Sequence, residues 1–127
     1  MTNDVRFDIK HLMNRDTRPI SWVKAARKAF NGFPATAREQ ILRALTIAAE
    51  GQTARIAKPM KGLGSGVFEI AVRHHGDTFR IIYAVQIGEA IWVVHAFQKK
   101  SKRGIETPSE EIDVVRTRLA RLKERLQ

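Results

Sequence analysis

The segment from Val67 to Gln98 constrains this chain more than any other. It holds three β-rich runs: Val67 to His75, Thr78 to Gln86 and Ala90 to Gln98. A turn at Gly76-Asp77 separates the first two, and a turn around Gly88 the last two. Connections this short force an antiparallel meander, because a parallel pair needs a crossover of a dozen residues or more. Side chains alternate along a strand, so the faces can be assigned. Phe79, Ile81, Tyr83 and Val85 share one face of the middle strand, and Arg80, Ile82, Ala84 and Gln86 the other. In the preceding strand Phe68, Ile70 and Val72 oppose Glu69, Ala71 and Arg73. Each strand thus has an apolar stripe and a mixed stripe, which predicts a sheet with helices behind it and a polar concave face in front.

The flanking segments supply the helices. Pro19 to Val23 is short, β-rich and bounded by proline, and predicts a first strand. Val23, Ala26 and Phe30 then recur at helical spacing until Asn31-Gly32. Pro34 opens a second helix running to about Glu50, with Ile41, Leu45 and Ala48 on one face and Leu42 and Ala49 beside them. Residues 51–66 contain Pro59, Gly62, Gly64 and Gly66, and predict a long irregular connection. At the far end, Thr107 and Glu110 form a capping-box pattern with Pro108 at the first helical position. Ile112, Val115, Leu119, Leu122 and Leu126 then make an amphipathic stripe. The order is β-α-α-β-β-β-α: the α+β class, a small antiparallel sheet packed by helices on one face. The first strand must pair within the meander or at its edge. Residues 19–127 are expected to form a single domain. Met1 to Arg18 is expected to be a poorly ordered leader or a short extra element, with Met13 as an alternative start.

Charge narrows the function. The 127 residues carry 23 Lys+Arg against 13 Asp+Glu, a formal net charge of +10. A field of that sign attracts nucleic acid, acidic protein or anionic membrane. Zero cysteines exclude a disulfide scaffold, a thiolate zinc site and a cysteine nucleophile, and point to the cytoplasm. No apolar run approaches the roughly 20 residues of a membrane span. No His/Asp/Glu grouping has ligand spacing, so neither a metal nor another cofactor is expected.

Several residues are candidates for chemistry. Arg73 and Arg80 lie on the mixed face, where a cross-strand ion pair with Glu69 is the alternative use for them. Lys99, Lys100, Lys102 and Arg103 follow the last strand directly and lead into the capped helix. Cations grouped at one end of a sheet suit a phosphate substrate, because each stabilises developing negative charge. Lys58 and Lys61, with the neighbouring glycines, form a further basic element. GLGSG precedes a strand rather than a helix, so it is neither a P-loop nor a dinucleotide fingerprint. His95 is alone within the last strand, either structural or a proton-transfer group near the mixed face.

Taken together, KPMKGLGSGVFEIAVRHHGDTFRIIYAV, IWVVHAFQKKSKRGIETPSEEI and the element order match a known pattern. From about Pro19 to Leu126 the chain resembles the RelE/ParE toxin superfamily, in its HigB-like, phage-derived branch. The resemblance implies the toxin of a type II toxin–antitoxin pair, partnered by an antitoxin, expected to be a helix-turn-helix protein encoded adjacently. Many such toxins cleave mRNA on the ribosome without metal. The RNA 2′-hydroxyl attacks the adjacent phosphate and leaves a 2′,3′-cyclic phosphate and a free 5′-hydroxyl. By this resemblance Arg80 matches the arginine of the middle strand, and Lys100 a cation held near the scissile phosphate. Arg73 falls near basic positions ending the preceding strand, and Lys99 and Lys102 support them. Glu69 and Ala71 stand where studied RelE members carry lysines, and Glu106-Thr107-Pro108 where they carry a tyrosine. The general base is thus left open between His95 and a lysine of lowered pKa. ParE-type members inhibit gyrase instead, and a degenerate nucleic-acid-binding module is a third possibility.

Overall fold

The structure is a computed structural model and describes residues 17–100 and 106–126. The meander is β3 (Val67–His74), β4 (Asp77–Ala84) and β5 (Ile91–Lys99), antiparallel throughout. His75 and Gly76 form its first turn with φ of 51° and 86°. Two positive-φ residues between paired strands give the twist a two-residue hairpin needs. Ahead of the meander lie β1 (Ile20–Trp22), helix α1 (Lys24–Asn31) and helix α2 (Ala35–Ala49). Helix α3 (Ser109–Leu126) follows it.

Two pairings go beyond the expected antiparallel meander. β1 joins the edge of the sheet beside β5, and it does so in parallel, with Ile20 opposite Ile91 and Trp22 opposite Val93. The α1–α2 connection is long enough to bring the chain back in that sense. At the other edge the supposed irregular connection contains β2 (Ala57–Pro59), antiparallel to β3 with Lys58 opposite Glu69. Three residues ending in proline give no alternation to read. An edge strand tolerates the proline because its outer side needs no partner. The sheet is therefore mixed, in the order β1-β5-β4-β3-β2.

Helices cover both faces rather than one. On the first face α1 and α2 pack Ala26, Phe30, Ile41 and Leu45 against Ile70, Ile81, Tyr83, Ile91 and Val93. Leu42, expected beside that stripe, is 44% exposed and turns outward. On the second face α3 lays Val115, Leu119 and Leu122 over Val67, Ile82, Ala84, Val94 and Phe97. A bulge in β5 makes this second core. Ile82 faces His95 while Tyr83 faces Val93, so Val94 is the extra residue and the alternation of β5 resets there. The N-terminal side is pinned by Arg18, whose guanidinium donates to the carbonyls of Val85, Glu89 and Ala90 at 2.7–3.0 Å. The rest of the expected leader lies outside the described residues.

Thr107 also departs from expectation. Helix α3 begins at Ser109, and the Thr107 hydroxyl donates to the Glu69 carboxylate at 2.5 Å instead of capping the helix. Gly66 shows how closely the strand entry is packed. Its φ is +76°, and a Cβ there would lie 2.8 Å from Gln86 Cγ. Gly66→Ala is expected to lower the urea-unfolding free energy by about 1–3 kcal/mol, from backbone strain and crowding together. Gly62→Ala, where φ is +80° and no atom lies within 4 Å, should cost less.

Candidate functional site

Helix α3 covers only part of its sheet face. The uncovered part, on β2, β3 and β4, is the mixed stripe read from the sequence. Lys58, Glu69, Ala71, Arg73, Thr78 and Arg80 all project there by alternation. With Arg55, Ile56 and Glu106 they line a groove of about 640 Å³. Four cations and two carboxylates face one another, a net of 4 − 2 = +2.

The centre of the groove is a hydrogen-bonded triad. Arg80 is 5% exposed. Its Nη1 donates to Glu69 Oε1 at 3.1 Å and to Thr107 Oγ1 at 3.4 Å. Thr107 passes its own proton to the other carboxylate oxygen. A buried guanidinium is tolerated only when paired and hydrogen-bonded, and Glu69 does both. The ion pair weighed as the alternative for Arg80 is thus present, and it lies inside the groove rather than in place of it. Arg73, by contrast, is exposed, paired in register with Thr78, and open to a ligand.

The remaining candidates divide. Lys58 lines the groove. Lys61 is exposed in the following turn and is not part of the lining. Lys99 sits opposite Thr78, so the basic run starts at the groove's edge, and Lys100 is exposed just beyond it. Lys102 and Arg103 lie outside the described residues. His95 shares the sheet face but is 8% exposed beneath α3 and does not reach the groove. Its Nδ1 accepts from Arg118 Nη1 at 3.1 Å, while Nε2 sits 2.7 Å from Glu111 Oε1. A guanidinium only donates, so Nδ1 is bare and the proton resides on Nε2, directed at Glu111. The imidazole is a neutral link between α3 and the sheet. Burial lowers its pKa, and Arg118 lowers it further against the opposing pull of Glu111. Tyr83, the sole tyrosine, is buried in the first core, and burial pushes its pKa up to about 12. Among the described residues no group of three His, Asp or Glu is placed to hold a metal ion. No helix among them is long and apolar enough to cross a membrane.

Arg55, Thr78, Glu106 and Thr107 are site residues that sequence reasoning passed over. Arg55 was hidden in the segment read as irregular. Thr107 carried a strong but misleading capping signal. Thr78 had a usable signal, since it alternates with Arg80 on the same face.

Comparison with known proteins gives the family and the fold. The sequence model of a family described as "Phage derived protein Gp49-like" matches residues 28–120. The chain belongs to this Gp49-like family. No curated protein matches it significantly. Among solved structures, a double-arginine mutant of the E. coli toxin RelE in the free state is similar at 18% identity. Its TM-score is 0.57, covering 83% of this chain and 97% of that one. The isolated E. coli RelE toxin is similar at 23% identity and a TM-score of 0.52, covering 76% and 96%. The Gp49-like chain therefore has the RelE fold.

Two measurements check the site's physics. Because the folded His95 has a lowered pKa, the neutral form is the one the fold favours. The associated stability is full above the unfolded imidazole value of about 6.5 and declines as pH falls below it. The urea midpoint should drop more between pH 7.5 and 5 in the parent than in His95→Gln. Removing Glu69 takes the carboxylate from buried Arg80, so Glu69→Ala should cost about 2–4 kcal/mol. Arg80→Met added to it should recover much of that loss in a double-mutant cycle.

Proposed function

We propose that this Gp49-like chain is the toxin of a type II toxin–antitoxin pair, of HigB-like kind, and that it cleaves mRNA on the ribosome in the groove between β2, β3 and β4. One observation carries the reading: four cations gather with two carboxylates, Glu69 and Glu106, in an open groove, with a further lysine run starting at its edge. An RNA strand brings a phosphate that Arg55, Lys58, Arg73 and Arg80 can hold through charge-assisted hydrogen bonds. The same cations stabilise the extra negative charge of the pentacoordinate phosphorus in the transition state.

Glu69 is the proton acceptor in this reading, in place of His95, which lies outside the groove and whose bare Nδ1 already accepts from Arg118. The Glu69 carboxylate takes the proton of the 2′-hydroxyl, and the 2′-oxygen bonds to the adjacent phosphorus. The bond from phosphorus to the 5′-oxygen breaks. The leaving oxygen takes a proton from an ammonium of the run beginning at Lys99 and Lys100. The products are a 2′,3′-cyclic phosphate and a 5′-hydroxyl, with no metal ion or other cofactor in the balance. Arg80 and Thr107 orient the carboxylate through hydrogen bonds to its two oxygens. A cognate antitoxin, a helix-turn-helix protein encoded beside the chain, would restrain it through the same basic face.

Purified protein, translating ribosomes and a defined mRNA should give codon-positioned cuts ending in a cyclic phosphate. Arg73→Ala and Lys100→Ala, both at exposed positions, should each slow cleavage about 10- to 1,000-fold. Glu69→Gln keeps an acceptor for Arg80 but removes the base, and should slow it about 100-fold or more while leaving the circular dichroism intact. Intact mRNA with folded protein would count against the proposal, and stabilised gyrase–DNA complexes would replace it.

A further inference from the structure

A second basic surface lies away from the groove. From Thr17 to Arg38 the chain carries five cations and no acidic residue. Arg18 is consumed by backbone carbonyls. Lys24, Arg27 and Lys28, however, are exposed along one flank of α1 and make no ion pair among the described residues. With Trp22 and Asn31 they line a shallow hollow of about 520 Å³. The Arg27 guanidinium rests over the Trp22 ring, 5.4 Å from its centroid. That ring is itself packed on buried Phe30, with centroids 4.9 Å apart. Arg27 is therefore held in place, so less side-chain freedom is lost when it binds an anion.

We infer that this flank of α1 is a second RNA-binding surface, which grips the phosphate backbone of a folded RNA. Three features select a backbone over an acidic polypeptide. Lys24 and Lys28 are one helical turn apart, about 6 Å along the axis, a spacing comparable to that of neighbouring phosphates on one strand. The hollow's apolar surface comes from the Trp22 ring and the methylene stems of its cations, with no aliphatic side chain to seat the anchors by which a peptide helix docks. The single aromatic ring in it is already occupied by Phe30 and Arg27, leaving charge as the means of recognition. The surface also lies at the β1–β5 end of the sheet and on the α1–α2 face, whereas the groove is at the β2–β4 end of the opposite face. One short strand cannot occupy both, so the ligand of the α1 flank is a separate helical or looped segment. The inference stands on its own charge and shape, independent of the chemistry proposed for the groove.

The probe is a fluorescein-labelled RNA hairpin, titrated by anisotropy across a series of KCl concentrations. The variant K24Q/R27Q/K28Q should bind it about 10- to 100-fold more weakly at low salt. Its log–log salt slope should be shallower by about 2–3, because three phosphate contacts each release about 0.7–0.9 of a counterion. K24Q/K28Q, which keeps Arg27 on Trp22, should fall between, and thermal melting should show both variants folded. Unchanged affinity and slope in the folded triple variant would overturn the inference. So would a poly-glutamate peptide that displaces the hairpin from the parent at equal charge, since the surface would then be one for acidic protein. The groove variant K58A/R73A, titrated on the same hairpin, separates the two readings. Loss with the α1 variant alone supports this surface and counts against RNA in the groove. Loss with the groove variant alone does the reverse.

Discussion

The fold depends on a central strand that is buried on both faces and still carries a charge. From Phe79 to Ala84 every residue of β4 is buried, and five of these six are apolar. The exception is Arg80, whose guanidinium has to find a counter-charge within the protein. Glu69, from the neighbouring strand, supplies it, and Thr107 closes the arrangement from the start of the last helix. A sheet register, a helix anchor and the floor of a groove thus rest on one small cluster. A pair of this kind contributes little net stability, because desolvation offsets much of its attraction, but breaking one half of it is costly. It specifies geometry more than it adds free energy.

Much of this was legible in the chain, and the reasons are physical. Period-two alternation in β3 and β4 put Glu69, Arg73 and Arg80 on a common face, which is where they lie. The helices showed through the regular return of Ala26 and Phe30, of Ile41 and Leu45, and of Val115, Leu119 and Leu122. Alternation failed in β5, because a bulge at Val94 switches parity; it puts His95 on the Arg80 face, but at a position covered by α3 rather than beside the groove. It failed also for β2, where three residues are too few to carry a period. The parallel placement of β1 could not be read at all, since pairing partners distant in sequence leave no local trace.

The candidate site was harder to read than the fold. A cation is recognisable as a letter, but its use is set by what surrounds it. Arg80 and Arg73 look alike in the sequence; one is locked against Glu69 and the other faces solvent. Thr107 satisfied every local rule for a helix cap and was recruited by a carboxylate 38 residues away. Long-range demand overrode local propensity because a half-buried carboxylate is the stronger competitor for a hydroxyl proton.

The short outer strands carry a consequence for how copies of this protein behave together. Any open sheet ends in two rows of backbone groups that could pair with another chain. Here both ends are three-residue strands, and β2 finishes in Pro59 with Lys58 beside it. Neither edge offers a run long enough to template growth, and the lysine penalises the approach of a like-charged neighbour. Among the described residues, a chain rich in apolar β-structure thereby presents little edge on which another copy could stack.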